Sequence, residues 1–170
     1  MNAIQAIYLM ASILVGVALV AARRPTIRPR SRLVSTGLAI LILSLLCVGI
    51  VSGTFVRHVI QVIPPVVALW LVAKGSPLGS SAAAPILTFW LGVMLNIWMF
   101  LMGIARIFSG TFTSIEIILT ITSAFGCALA LVGIIRSPDV PSLRRRIVMA
   151  LTFGIGQFAA MITSFHPAFR

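Results

Sequence analysis

Two histidines, two carboxylates and two cysteines are the residues from which nucleophilic, acid–base or metal chemistry would be built in this 170-residue chain: His58 and His166, Glu116 and Asp139, Cys47 and Cys127. Glu116 and Asp139 stand at opposite ends of one apolar run, so a two-carboxylate hydrolase lacks its pair. No serine has a histidine and a carboxylate placed to converge on it. Each cysteine sits alone inside an apolar run, in neither a CxxC nor a metal-ligand spacing, and reads as a small buried apolar residue. The two histidines could in principle ligate a haem or a metal. Both fall at the edges of apolar runs, and no second carboxylate or thiolate accompanies them, which fits solvated interfacial side chains better. No glycine-rich loop of the phosphate-cradling kind occurs. The chain is expected to be no enzyme, with no catalytic, cofactor-binding or metal-binding residues and no cofactor.

The elements that carry these residues are set by hydropathy. Sixty per cent of the residues are hydrophobic and 9% charged, with a mean hydropathy of +1.16. A soluble domain carries about 25% charged residues, so lipid must cover much of this surface. Six apolar runs, 3–22, 33–53, 55–73, 83–105, 115–135 and 147–165, each approach the ~20 residues that a bilayer-spanning helix needs. The expected fold is an all-α membrane protein, a bundle of six transmembrane helices in one polytopic domain over 1–170, with no sizeable soluble domain. The first run has no cation before it and Arg23-Arg24 directly after it, the reverse of a signal peptide's charge order. It reads as a true first span.

The cations fix the expected orientation. With the N-terminus outside, the inner connectors 23–32, 74–82 and 136–146 hold Arg23, Arg24, Arg28, Arg30, Arg32, Lys74, Arg136, Arg144, Arg145 and Arg146, while only Arg57, Arg106 and Arg170 lie outside. This is the positive-inside pattern, with both termini on the non-cytoplasmic side of a plasma-type membrane. The net charge of +11 then reflects topology and contact with anionic lipid headgroups, not nucleic acid. Only Ser52-Gly53-Thr54 separates the second and third runs, which demands a tight turn with Gly53 supplying the backbone freedom.

Within the spans, polar and small residues recur at helical spacing. The third carries Arg57, His58, Gln61, Pro64 and Pro65 on one face. The fourth carries Gly92, Asn96, Met99, Gly103 and Arg106; the fifth Glu116, Thr120, Ser123, Cys127 and Ala130; the sixth Ala150, Gly154, Gln157, Met161 and Ser164. The first two spans are weaker, the second offering Gly37, Ser44 and a Gly49-xxx-Gly53 pair. Spans three to six are therefore expected to enclose the interior, with the first pair packed beside them. Pro64-Pro65 should kink the third span and free carbonyls near mid-membrane, which Asn96 or Gln157 could satisfy. Gln61, Pro64, Pro65, Asn96 and Gln157 are thus candidates for interhelical contacts or, alternatively, a narrow polar path; small-residue packing is the more general rule. A three-plus-three inverted repeat would make the third and sixth spans corresponding interrupted helices, as Pro64-Pro65 and Gly154-Ile155-Gly156-Gln157 near their middles suggest.

Arg57, His58, Arg106, Glu116 and His166 map to the outer face. There Glu116 is expected to pair with Arg106 or Arg57 as a latch joining spans three, four and five. No Asp, Glu, Lys or His lies near the midplane, which disfavours an ion-driven pump. The expected function is that of a non-catalytic membrane subunit, an accessory or assembly component of a larger complex, its partners other membrane subunits or further copies of itself. The alternative is a small channel or facilitator for a neutral or weakly polar solute.

Overall fold

The computed structural model describes residues 3–22, 31–104, 111–136 and 142–169. Among these it contains six long helices and one short 3-10 turn: α1 (Ala3–Ala22), α2 (Ser31–Val51), α3 (Phe55–Ala73), α4 (Gly79–Leu101), α5 (Ser114–Ile135), α6 (Leu143–Ser164) and the turn Pro167–Phe169. The helices have 19 to 23 residues, roughly 28–35 Å at 1.5 Å per residue, which matches a ~30 Å hydrocarbon core. All six are apolar enough to cross a membrane. Their outward faces carry large bare side chains, among them Ile7, Leu43, Ile50, Ile121, Phe125 and Ile155. Such a surface is stable against acyl chains and not against water.

One helix stands in the middle of the others. α4 packs against all five remaining helices, while α1 lies on α4 and α6, and α2 lies on α5 and α3. From Ser81 to Trp90 every residue of α4 is buried. The expectation that spans three to six surround an interior, with the first pair beside them, is corrected: a helix fills the interior, and α1 and α2 pack against different neighbours. The cause is the small first two turns of α4, Gly79-Ser80-Ser81-Ala82-Ala83-Ala84-Pro85, which admit neighbouring backbones closely. Gly16 of α1 sits on Pro85, where an added Cβ would lie 2.5 Å from the proline Cα. Gly154 of α6 lies against Ile13, a Cβ there falling 2.5 Å from its Cγ2. On the other flank α2 and α5 meet backbone to backbone. A Cβ on Gly126 would lie 2.9 Å from the Gly37 carbonyl, and one on Gly133 2.9 Å from the Leu33 Cβ.

Three helices end alike. Gly53, Gly75 and Gly103 have φ of +68°, +68° and +73°, and each sits in a six-to-one closure: Thr54 N–H to Gly49 O at 2.8 Å, Ser76 N–H to Leu71 O at 2.9 Å, and Ile104 N–H to Met99 O at 2.9 Å. This is the Schellman arrangement, in which glycine takes the left-handed position without Cβ strain. Two expectations change with it. Gly53 lies in the α2–α3 turn and not on a packed Gly-xxx-Gly face. Gly103 ends α4 and does not extend its stripe. The helices also begin earlier than hydropathy suggests, α4 at Gly79 and α6 at Leu143. Arg144, Arg145 and Arg146 therefore occupy the first turn of α6 and not an inner loop. α3 and α6 run unbroken through Pro64-Pro65 and Gly154-Ile155-Gly156, so neither has the interruption that a transporter-like repeat requires.

Replacing Gly126 by Leu should separate α2 from α5 and cost about 1–3 kcal/mol, the usual range for overpacking. Gly156→Leu, where a Cβ meets nothing within 4 Å, should be close to neutral. Unfolding in mild detergent, followed by circular dichroism, compares the two.

Candidate functional site: buried polar contacts between α3 and α6

A proline inside a helix leaves one carbonyl, four residues earlier, without its amide partner. For Pro65 that carbonyl belongs to Gln61. In hydrocarbon no water can replace the lost donor. Gln157 of α6 supplies it, its Nε2 donating to Gln61 O at 3.4 Å. The Gln61 side chain returns the contact: its Nε2 donates to Ser164 Oγ at 2.8 Å, and Ser164 Oγ donates to Met161 O of its own helix at 2.7 Å. Gln61, Pro65, Gln157 and Ser164 are all buried, and Pro64 is half-buried. The proline face of α3 is thus tied to the polar stripe of α6 by two reciprocal bonds.

Asn96 does not join this brace. Its Nδ2 donates to Gly92 O within α4 at 2.7 Å. Nor does it lie at the midplane: with α4 starting at Gly79, Asn96 stands six residues beyond the central Trp90, roughly 9 Å towards the α2–α3 end. The stripe on α6 is packed throughout, with Arg146, Ala150, Gly154, Gln157, Met161 and Ser164 as its buried residues. On α5 the stripe turns inward from Thr120 to Ala130, and Thr120 Oγ1 accepts from Trp98 Nε1 of α4 at 3.0 Å. The sequence reading passed over Trp98. An indole N–H in an apolar setting needs an acceptor, and that was the available signal.

The expected charge cluster at the α2–α3 end separates into local contacts. Glu116 occupies the third position of α5 and completes a capping box. Its Oε2 accepts from Thr113 N–H at 2.7 Å and Thr113 Oγ1 at 2.8 Å, while Glu116 N–H donates to Thr113 Oγ1 at 3.3 Å. The carboxylate therefore serves the start of its own helix, where the dipole also favours it, and does not bridge to Arg57. Arg57 instead lies over the Phe165 ring, 5.7 Å from its centroid, a cation–π contact between the start of α3 and the end of α6. His58 turns to α2: Nδ1 lies 3.1 Å from both Oγ1 and the carbonyl of Thr54, and a Cβ on Gly49 would meet the His58 Cβ at 2.9 Å. His58 is half-buried, not fully solvated. His166 is exposed; its Nδ1 accepts from Ala168 N–H at 3.3 Å, and its ring meets Phe169 edge-on. The expected latch between Glu116 and Arg57 is replaced by these separate contacts. Arg106 lies outside the described residues.

At the opposite end Arg32 stands exposed in the first turn of α2, with Arg144 and Arg145 exposed and Arg146 buried on α6. Arg23, Arg24, Arg28 and Arg30 lie outside the described residues. Cys47 is exposed and Cys127 buried, both as free thiols. Among the described residues no group of three or more His, Cys, Asp or Glu side chains is gathered as metal ligands are.

Six helices long and apolar enough to cross a membrane, with bare apolar side chains on their outer faces, define a multi-pass α-helical membrane protein. The chain matches no family model, no curated protein and no solved structure.

The brace makes a conditional prediction. Gln157→Leu should cost about 0.6–1 kcal/mol, as interhelical bonds in membranes do. Pro65→Ala restores an amide to Gln61 O, so in that background the Gln157→Leu cost should shrink. A double-mutant cycle by detergent unfolding measures the difference; equal costs in both backgrounds would show that Gln157 does not serve that carbonyl.

Proposed function

We propose that the chain is a non-catalytic membrane subunit, an accessory or assembly component of a larger complex. The observation that carries this reading is the helix in the middle of the bundle. α4 is sealed by α1, α2, α3, α5 and α6 along its central turns. The polar side chains that would otherwise suggest a site, Gln61, Gln157, Ser164, Trp98 and Thr120, are engaged in bonds between helices. What remains for recognition is the lipid-facing surface and the two ends. We place the protein in a plasma-type membrane with both termini outside, on the strength of the cation asymmetry. Native mass spectrometry from mild detergent should find other membrane chains copurifying with it; a lone chain or a homo-oligomer only would contradict the proposal. Single cysteines in residues 23–32 should react with an impermeant maleimide in inside-out vesicles and not in intact cells, and the reverse pattern would overturn the orientation.

A second reading rests on different atoms. Asn96 Oδ1, Ser123 Oγ and Gln157 Oε1, on α4, α5 and α6, are buried without a hydrogen-bond partner among the described residues. Buried acceptors of this kind are costly unless a water or polar ligand visits them. A channel or facilitator for a small neutral solute would use them. Solute flux into proteoliposomes should then exceed that of empty vesicles and fall on Asn96→Leu or Gln157→Leu; no excess across a broad solute panel removes this reading.

A further inference from the structure

The first turn of α6 is built against its own helix. Three consecutive arginines stand at the positive end of the helix dipole, where cations are disfavoured. Arg144 and Arg145 are exposed, and neither has an ion-pair partner among the described residues. Glu116, the one carboxylate among those residues, caps α5 at the opposite end. Beneath the two guanidinium groups runs an open groove of about 610 Å³, walled by Val148, Met149 and Thr152 of α6 and by Leu78 from the α3–α4 connection. Arg145, Val148, Met149 and Thr152 stand at i, i+3, i+4 and i+7 on one face of the helix, so the wall reaches about two turns, roughly 10 Å, below the cations. The Thr152 hydroxyl is satisfied by Val148 O at 2.9 Å and leaves an apolar lining.

We propose that this groove holds one anionic glycerophospholipid, its phosphate on Arg144 and Arg145 and an acyl chain along Val148, Met149 and Thr152. The charge is complementary: two guanidinium groups lining one groove, without an ion-pair partner among the described residues, suit the oxygens of a phosphodiester. The direction also fits, with cations at headgroup level and an apolar wall descending from them into the hydrocarbon. A free phosphate would use the arginines but not the wall. A partner helix would need a carboxylate at this height and would exclude the lipid.

The test uses the full chain in mild detergent with phosphatidylglycerol or phosphatidylcholine added, read by native mass spectrometry. Phosphatidylglycerol should be retained in preference, as one molecule per chain, and inorganic phosphate in excess should not displace it. The pair Arg144→Gln and Arg145→Gln should weaken retention by about tenfold or more, at the ordinary strength of a basic residue near anionic lipid. Met149→Trp, which fills the groove without changing charge, should weaken it as well, and Arg32→Gln should leave it nearly unchanged. Equal losses from Arg32→Gln and from the α6 pair would show diffuse electrostatics and overturn the site. So would retention unaffected by Met149→Trp, displacement by inorganic phosphate, or a copurifying chain that blocks lipid retention. Circular dichroism of each variant separates loss of lipid from loss of fold.

Discussion

In the hydrocarbon of a bilayer nothing competes with the protein for its own polar groups, so each must find a partner within the fold or stay costly. The contact between α3 and α6 is the clearest expression of that constraint. Pro65 removes a backbone donor in a helix that runs through lipid, and the carbonyl left behind is met by Gln157 of another helix. The Gln61 amide, on the same turn, reaches Ser164 in return. A feature that would be trivial in water, where solvent would take the carbonyl, becomes here the reason for a specific pairing of helices. The same rule accounts for Trp98 on Thr120, for His58 on Thr54 and for the threonine and serine hydroxyls that donate back to their own helices.

Lipid also removes the hydrophobic drive that brings apolar helices together in water, which leaves close packing as the main source of association. That explains the place of α4. Its first seven residues are all glycine, serine, alanine and proline, and the glycines of α1 and α6 lie directly on it or beside it. α2 and α5 use the same device on the far side, glycine against glycine carbonyl. Large residues fill the space between these close contacts, as Leu38, Leu41, Ile86, Leu87 and Phe89 do, and others face outward, where acyl chains accommodate Ile, Leu and Phe.

The count and type of elements were legible because runs of twenty apolar residues have few other structures open to them. The stripe on α6 was also legible, since a period of 3.6 among polar residues in an apolar run points inward whatever the partner. The role of α4 was not. A segment apolar all round reads as buried in a soluble protein, but in a membrane the same pattern suits a lipid-facing helix, so hydropathy alone does not choose. The start of α6 was hidden because three arginines depress hydropathy without breaking the helix. The capping role of Glu116 was overlooked although Thr113-Ser114-Ile115-Glu116 carries the capping-box spacing, a local signal that stands beside any pairing with an arginine. Gly103 was counted into a packing stripe because glycine as a close-contact residue and glycine as a helix terminator look alike in sequence.

The account depends most on α4 being enclosed by the other five helices. Nitroxide labels placed singly along residues 82–90, and for comparison at Ile121 and Phe125, report contact with membrane-dissolved oxygen and with a water-soluble nickel chelate. The 82–90 labels should be shielded from both reagents, with Ile121 and Phe125 open to oxygen alone. Periodic access to the nickel chelate along α4 would reveal a water-lined face, and access to oxygen would place it against lipid; either contradicts a central, sealed helix.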